Sequence, residues 1–359
     1  MKKSLLVLAV AAAVPALAQA QTNVTLYGRV DTSVAFENRG TGGGSAVLLQ
    51  QGIQSSNRWG VRGSEDLGGG LKAVFNLEGG FQSDDGLGPS GGGLNFQRRS
   101  VVGVEGGFGT FVMGRDYNPL FRVLLAADTL GLGHYNNVHT IVGATGAFGV
   151  NQPRTYGVRM NNGLHYVSPS FGGFVIRAAY GFSEQFLTSA TVPTKSVGRA
   201  IGLAAEYNAG PLYVGLAYQG NTVAIGGSDG TDKFTSLGAR YNFGAFAVNG
   251  GYARNDLAGN SATVLDSKSI WIGADAQVGP GRLHAQFANI DPTGAGKASS
   301  IGITYNYPLS KRTNAYATFG QMRNNSATNY ALTTSSTAVT AGALGSDPRG
   351  IAFGIGHNF

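Results

Sequence analysis

The chain closes on GIAFGIGHNF, residues 350–359. By parity Ile351, Phe353, Ile355, His357 and Phe359 share one face, while Gly350, Ala352, Gly354, Gly356 and Asn358 share the other. A period of two with one largely apolar face is a β-strand. Chain ends ordinarily fray and carry little apolar weight. A terminal strand with an unpaired edge also invites aggregation. This strand therefore needs a neighbour on both sides, and the remainder of the chain has to supply the second one.

The other end carries the same pattern. In NVTLYGRVDTSVAFEN, residues 23–38, Val24, Leu26, Val30, Val34 and Phe36 alternate with Tyr27, Arg29, Asp31, Ser33 and Glu37. Water on one side and hydrocarbon on the other explains such a division. The alternation recurs, as in Leu71–Glu78, Phe174–Tyr180, Leu212–Gln219, Leu237–Phe243 and Ile301–Tyr307. Segments of about 10 residues suit a tilted strand crossing a membrane. Short Gly-rich or polar connectors stand at 65–71, 106–110, 170–174, 208–212, 242–246, 278–283 and 308–313, and longer polar stretches lie between them. Short loops on one side and long loops on the other mark an outer-membrane barrel. Seven short turns join fourteen strands, and the first and last bring the count to sixteen. The expected fold is all-β, a transmembrane 16-stranded antiparallel barrel wide enough for an aqueous channel. In a closed barrel the last strand pairs with the first. A soluble tandem of β-sandwiches would leave the short–long rhythm without a cause.

Lys2 and Lys3 precede an apolar run from Ser4 to Ala18, and Ala18-Gln19-Ala20 gives a small-x-small site. This predicts a signal peptide over 1–20 and a barrel over 21–359; the run is too short for a spanning helix of about 20 residues. Cysteine is absent, which excludes disulfides, thiol catalysis and Cys-based metal sites. The balance of 26 Lys+Arg against 19 Asp+Glu is basic but lacks a basic run, so no nucleic-acid partner is expected. The 58 glycines point to tight packing or sharp turns in β-structure.

Several stretches together resemble the Gram-negative general diffusion porins: VTLYGRVD (24–31), SNRWGVRGSEDLGGGLKAVFNLE (56–78), RRSVVGVEGGFGTFVMGRD (98–116), YVSPSFGGF (166–174), LSKRT (309–313) and GIGHNF (354–359). The resemblance covers the whole mature chain. It implies a homotrimer in the lipid of the outer membrane of a Gram-negative bacterium, with a third long loop folded inward, small hydrophilic solutes as cargo, and Phe359 read by the barrel-assembly machinery. The connector 116–157 is by far the longest and is the candidate constriction loop. Its NPLFRVLLAAD segment, 118–128, is apolar enough to pack on the barrel wall, with a helical turn after Pro119.

Function in such a pore lies in the charges of its narrowest zone. Parity sets Arg58 and Arg62 on one face, opposite Trp59 and Val61. It sets Arg159 with Asn161 and His165, opposite Met160, Leu164 and Tyr166. Parity with Glu105 favours Arg99 as inward, and a bulge would favour Arg98, so both are candidates. The resemblance places arginines matching Arg58, Arg98 or Arg99, and Arg159 on the wall facing the loop, and Arg29 is a further inward candidate. The loop supplies Asp116 and Asp128 as its only acids, against Arg122 and Arg154. Cation-favouring relatives carry a Pro-Glu-Phe-Gly-like acid in this loop, whereas here no glutamate stands between Glu105 and Glu184. A positive throat raises local anion concentration, so an anion-preferring pore for passive diffusion is expected. The competing functions are a solute-specific channel and a barrel acting as adhesin or receptor. No G-x-S-x-G or H-E-x-x-H occurs, so no catalytic residue, cofactor or metal is assigned. His134 and His139 alone make a weak metal pair.

Overall fold

The computed structural model describes residues 23–89, 93, 95–142, 157–183, 197–225, 228–258, 266–293 and 296–359; the signal-peptide expectation and Arg154 lie outside them. Strand β1 (Asn23–Asn38) pairs along its second half with β2 (Ser45–Gln51) and along its first half with β3 (Arg58–Gly68). The two segments together make one barrel strand. Gly52, at φ 62°, begins the break between them, and Ile53 turns inward to be fully buried. The stretch 45–51 was expected to be part of a long loop; its alternation pairs with β1 instead.

Antiparallel neighbours follow in chain order: β4 (Leu71–Gly80), β5 (Arg99–Gly106), β6 (Gly109–Tyr117), β7 (Arg159–Val167), β8 (Phe174–Gly181), β9 (Ala200–Ala209), β10 (Leu212–Ile225), β11 (Ser228–Asn242), β12 (Phe246–Ala258), β13 (Ser267–Val278), β14 (Gly281–Pro292), β15 (Ala298–Pro308) and β16 (Thr313–Asn324). A two-strand hairpin, β17 (Leu332–Thr333) and β18 (Ala338–Val339), stands apart from the sheet, and β19 (Arg349–Asn358) completes it. β19 pairs with β16 on one side and β1 on the other, so sixteen strands close on themselves. The last residue joins the seam: Phe359 and Gly28 exchange backbone hydrogen bonds, each 3.1 Å. Closure leaves no unpaired edge for lipid to meet.

Apolar side chains on the outer face are exposed, including Leu26, Phe36, Ile272, Ile303 and Phe353. The buried core lies inside the cylinder, where the long loop packs on one wall. A helix, Pro119–Ala127, opens that loop. Asn118 caps it by accepting from Phe121 N at 2.7 Å, and Pro119 at its first turn lacks an N–H that would go unpaired there. Leu120, Val123, Leu124 and Ala127 are fully buried against β9–β12. Beyond the helix the chain runs on past β13–β19, burying Leu132, Tyr135, Val138 and Ile141. Barrel side chains satisfy its irregular backbone. Trp271 Nε1 donates to Ala127 O at 3.0 Å, Ser269 Oγ to Ile141 O at 2.9 Å, and Gln286 Nε2 to Asn136 O at 2.9 Å. Buried backbone groups need such partners.

The wall makes room by omitting side chains. A Cβ placed on Gly238 would lie 2.5 Å from Ala127 Cβ, and one on Gly350 would lie 2.6 Å from Tyr135 Cζ. Gly202, Gly215, Gly302 and Gly320 are crowded by the loop in the same way. Tight packing therefore accounts for a share of the glycine content that turns do not.

The last long connector, 325–348, also folds inward. Tyr330, Ala331, Leu332 and Val339 are almost completely buried. Ser335 meets Ser56 at three hydrogen bonds, one from Ser56 N at 2.9 Å. The polar composition of this stretch suggested an outward loop; its few apolar residues instead cover the inward loop.

Candidate functional site

The loop covers the inner wall from β9 round to β19. The wall from β3 to β8 borders open space, and its inward side chains include Arg58, Arg62, Arg99 and Arg177 beside Asn76, Glu78, Glu105 and His165. Register explains why they converge. Arg29 pairs across β1–β3 with Arg58, Arg62 with Asn76, and Arg99 with Glu78, so all point to one side. Glu78 takes Arg98 Nε at 2.8 Å and lies 3.9 Å from Arg58 Nε. Arg98 and Arg99 both reach this wall. Arg99 follows strand parity and donates to Asp116 at 2.7 Å. Arg98 precedes the first residue of β5, where alternation does not yet bind it.

Tyr117 is the hub of the cluster. Its hydroxyl accepts from Arg98 at 3.2 Å and from Arg159 at 2.7 Å. Its ring stacks on Phe121 at 4.5 Å, with the guanidinium carbons of Arg159 and Arg122 at 4.3 and 4.7 Å from the centroid. Cation–π contact offsets part of the cost of crowding like charges. Burial pushes the pKa of Arg122 down, and Asp116, 4.0 Å away, opposes that. Arg177 pairs with Glu206 at 2.6 Å, and Arg29 with Asp31 at 3.5 Å. Arg62 and Arg159 have no carboxylate partner among the described residues. Arg62 instead sits 5.2 Å over the Tyr27 ring.

Eight arginines thus face five carboxylates: Arg29, Arg58, Arg62, Arg98, Arg99, Arg122, Arg159 and Arg177 against Asp31, Glu78, Asp116, Glu206 and Glu105, the last lining one cavity with Arg62 and Arg99. Two open cavities of about 280 and 230 Å³ border this cluster and share Arg99, Thr110 and Val112. The arrangement leaves polar space beside a net positive surface, which can attract and pass anions.

Two sequence expectations need correction. Asp128 borders a cavity of about 290 Å³ with Arg29 and His134 but is not free to act on ions there: it is 4 % exposed, and its oxygens accept from the amides of Leu130, Leu132 and Val138 at 3.0, 2.8 and 3.1 Å. Burial raises its pKa to about 6. It is a bracket for the loop. Parity also fails at the start of β7. The β6–β7 register shifts between Gly114 and Asp116, and Asn162 sits at φ 50°. Asn161 is consequently exposed and bonded to Arg115, while Met160, expected outside, is buried. Arg159 enters the cluster through Tyr117. Sequence reasoning missed Tyr117 and Glu78 as site residues. Glu78 was readable from its polar-face parity with Asn76. Nothing local in the sequence marks Tyr117.

A second basic group, Arg240 and Arg282 on Asp275, lies near the short turns. Among the described residues no three His, Asp or Glu side chains converge as a metal site.

A family model described as Gram-negative porin matches residues 7–327. The chain belongs to the Gram-negative porins. This porin is 37 % identical over 365 residues to outer membrane porin protein 32 of Delftia acidovorans, covering 100 % of both chains. It is 30 % identical to an outer membrane porin protein of Bordetella pertussis, over 88 % of this chain and 93 % of that one. Among solved structures it is similar to the anion-selective porin from Comamonas acidovorans, with TM-score 0.83 and 35 % identity, covering 94 % of this chain and 100 % of the other. The porin is accordingly a channel of the Gram-negative outer membrane and not an enzyme.

Proposed function

We propose that this porin is a water-filled pore through which small hydrophilic solutes and ions diffuse passively, with anions preferred, and that its narrowest zone lies between the loop 116–157 and the arginine wall. The observation that carries the reading is the excess of eight arginines over five carboxylates around that zone. The likeness to the anion-selective porin from Comamonas acidovorans supports it. Permeating ions stay hydrated, so a unit charge ~4 Å away contributes about 1 kcal/mol, a several-fold change in partition. Replacing Arg58 and Arg159 together with Gln is expected to move the reversal potential in a KCl gradient toward the cation side. Conductance in 1 M salt, where screening extends only about 3 Å, is expected to change little. An unchanged reversal potential would remove these arginines from the constriction.

The same reading includes cleavage of residues 1–20 on export, a homotrimer, and use of Phe359 as the assembly signal. Its place at the β19–β1 seam supports the last. Deleting Phe359 is expected to leave export intact and to lower the yield of heat-modifiable trimer. Normal trimer yield would refute that role.

A further inference from the structure

Tyr117 ends β6, and the next residue, Asn118, caps the helix that opens the inward loop. Behind it the β6–β7 register shifts between Gly114 and Asp116, and Tyr117 lies directly across from Arg159. With Asp116 it borders the cavity of about 230 Å³ that Arg99, Arg122 and Arg177 also line. The residue thus stands at the joint between wall and loop, beside open space. Its ring is fixed there by stacking on Phe121 at 4.5 Å.

A phenol oxygen accepts through its lone pairs and donates a single proton. Arg159 donates to it at 2.7 Å and Arg98 at 3.2 Å, which fills its accepting capacity. The proton itself has no acceptor among the described residues. Arg98 has a second anchor in Glu78, at 2.8 Å. Arg159 differs: its Nε is buried without a partner, and its guanidinium carbon lies 4.3 Å from the Tyr117 centroid. Among the described residues, Tyr117 alone holds the Arg159 guanidinium. An arginine side chain has much rotamer entropy to regain, so loss of that anchor would let its charge wander. A carboxylate at this position would hold both arginines more firmly, but it would cancel one of their charges. A neutral phenol holds them and leaves both charges in place.

Building on the anion-preferring pore, we propose that Tyr117 is a specificity-determining residue of its narrow zone: it positions Arg159 and Arg98 without neutralising them and offers its own hydroxyl proton to the passing anion. With both guanidiniums on its lone pairs, the phenol can only donate, and the O–H is turned away from them toward the open cavity. Arginine charge attracts all anions of one valence alike. A hydrogen-bond donor adds a preference among them, for a good acceptor such as chloride over a poor one such as perchlorate.

The test uses the full-length folded protein in planar bilayers at low salt, with reversal potentials read in a KCl gradient and between KCl and KClO4. Tyr117→Phe removes the hydroxyl and keeps the ring on Phe121. Its chloride-to-potassium permeability ratio is expected to fall roughly twofold, because a guanidinium that swings a few ångströms away gives up about half of its several-fold contribution. Its chloride-to-perchlorate ratio is also expected to fall roughly twofold, the low end of what one net hydrogen bond contributes. Combined with Arg159→Gln, the loss in chloride over potassium is expected to be smaller than the product of the two single losses, because Tyr117 acts there through Arg159. Combined with Arg62→Gln, whose guanidinium sits over Tyr27 instead, the losses are expected to multiply. Equal permeation of chloride and perchlorate in the unmodified protein, once corrected for their mobilities in water, would overturn the donor role without any variant. An unchanged chloride-to-potassium ratio in Tyr117→Phe, or full multiplication with Arg159→Gln, would overturn the positioning role. An unmodified protein with no anion preference would instead bring down the pore reading itself.

Discussion

The inner wall from β9 to β19 and the inner wall from β3 to β8 obey one rule of alternation and are filled in opposite ways. On the first, inward positions such as Gly202, Gly238, Gly302 and Gly350 carry no side chain, and the loop presses against the sheet there. On the second, inward positions carry Arg58, Arg62 and Arg99, and the space in front of them stays open. Side-chain size on one wall therefore decides where the loop lies, and charge on the other decides what the remaining opening attracts. Neither wall makes a constriction alone.

The largest expected effect breaks the glycine wall. Gly238→Phe would place a ring where Ala127 packs. Overpacking of this kind costs about 1–3 kcal/mol or more, and the helix Pro119–Ala127 has no second bed. The barrel is expected to form, because the ladder hydrogen bonds are untouched, and the loop is expected to leave the wall. Single-channel recordings would show an altered mean conductance with frequent transitions. A steady, unmodified channel would mean that the wall yields elsewhere and that these glycines do not position the loop.

The hydrogen bond that ties the loop to β1, the strand between the two walls, comes next. Tyr135 OH donates to Glu37 Oε1 at 2.8 Å, and both residues are buried. Tyr135→Phe leaves that carboxylate with weaker partners, the Gln50 amide at 3.4 Å. Loss of a hydrogen bond to a charged group amounts to about 1.5–3 kcal/mol. The variant is expected to show faster protease cleavage within the loop, while heat-modifiability persists. Unchanged cleavage would show that packing of the ring alone holds the loop.

How much of this was readable in the sequence follows from the range of each signal. Alternation is local and repeated, so the strands, the seven turns and the inward direction of Arg29, Arg58, Arg62 and Arg99 could be read directly. Asn118-Pro119 announced the helix start for the same reason. Alternation fails where register shifts, and Met160 and Asn161 exchange places behind the irregularity at Asn162. It does not apply to Arg98, which stands before its strand. Burial of Asp128 depends on three amides up to ten residues downstream, folded back by the wall, and no local pattern encodes that. The glycines were ambiguous because a turn and a close approach use the same residue.

On the arginine wall, Glu78→Gln sharpens the comparison without moving the loop. Glu78 is the shared partner of Arg58 and Arg98. Its neutralisation removes one of five carboxylates around the throat, so the anion preference in a dilute KCl gradient is expected to rise, by about 1 kcal/mol in partition at most. The increment is expected to vanish in 1 M salt. A shift toward cations would mean that Glu78 acts by positioning the two arginines and that its own charge is of little account.

The smallest expected effect is a dependence of loop docking on pH, in which two buried groups oppose each other. Burial pushes the His134 pKa down to about 3, from 6.5 when free, and raises that of Asp128 to about 6, from 3.8. Docking disfavours the protonated imidazole, so the His134 contribution is intact above pH 6.5 and is lost as pH falls toward 3. Docking favours the protonated carboxyl, so the Asp128 contribution is full below pH 3.8 and is lost as pH rises through 6. Between pH 7 and pH 5 the histidine works against docking and the carboxyl works for it, so the two largely offset. The noise of the channel is therefore expected to change little between pH 7 and pH 5. His134 stands at φ 57°, a conformation that Asn tolerates well. His134→Asn removes the titrating ring and keeps the backbone, which leaves Asp128 acting alone. A clear response should then appear, with the quieter channel at pH 5. If both proteins respond to acid in the same direction, the titrating group lies elsewhere, and the buried pair is not what couples the docked loop to protons.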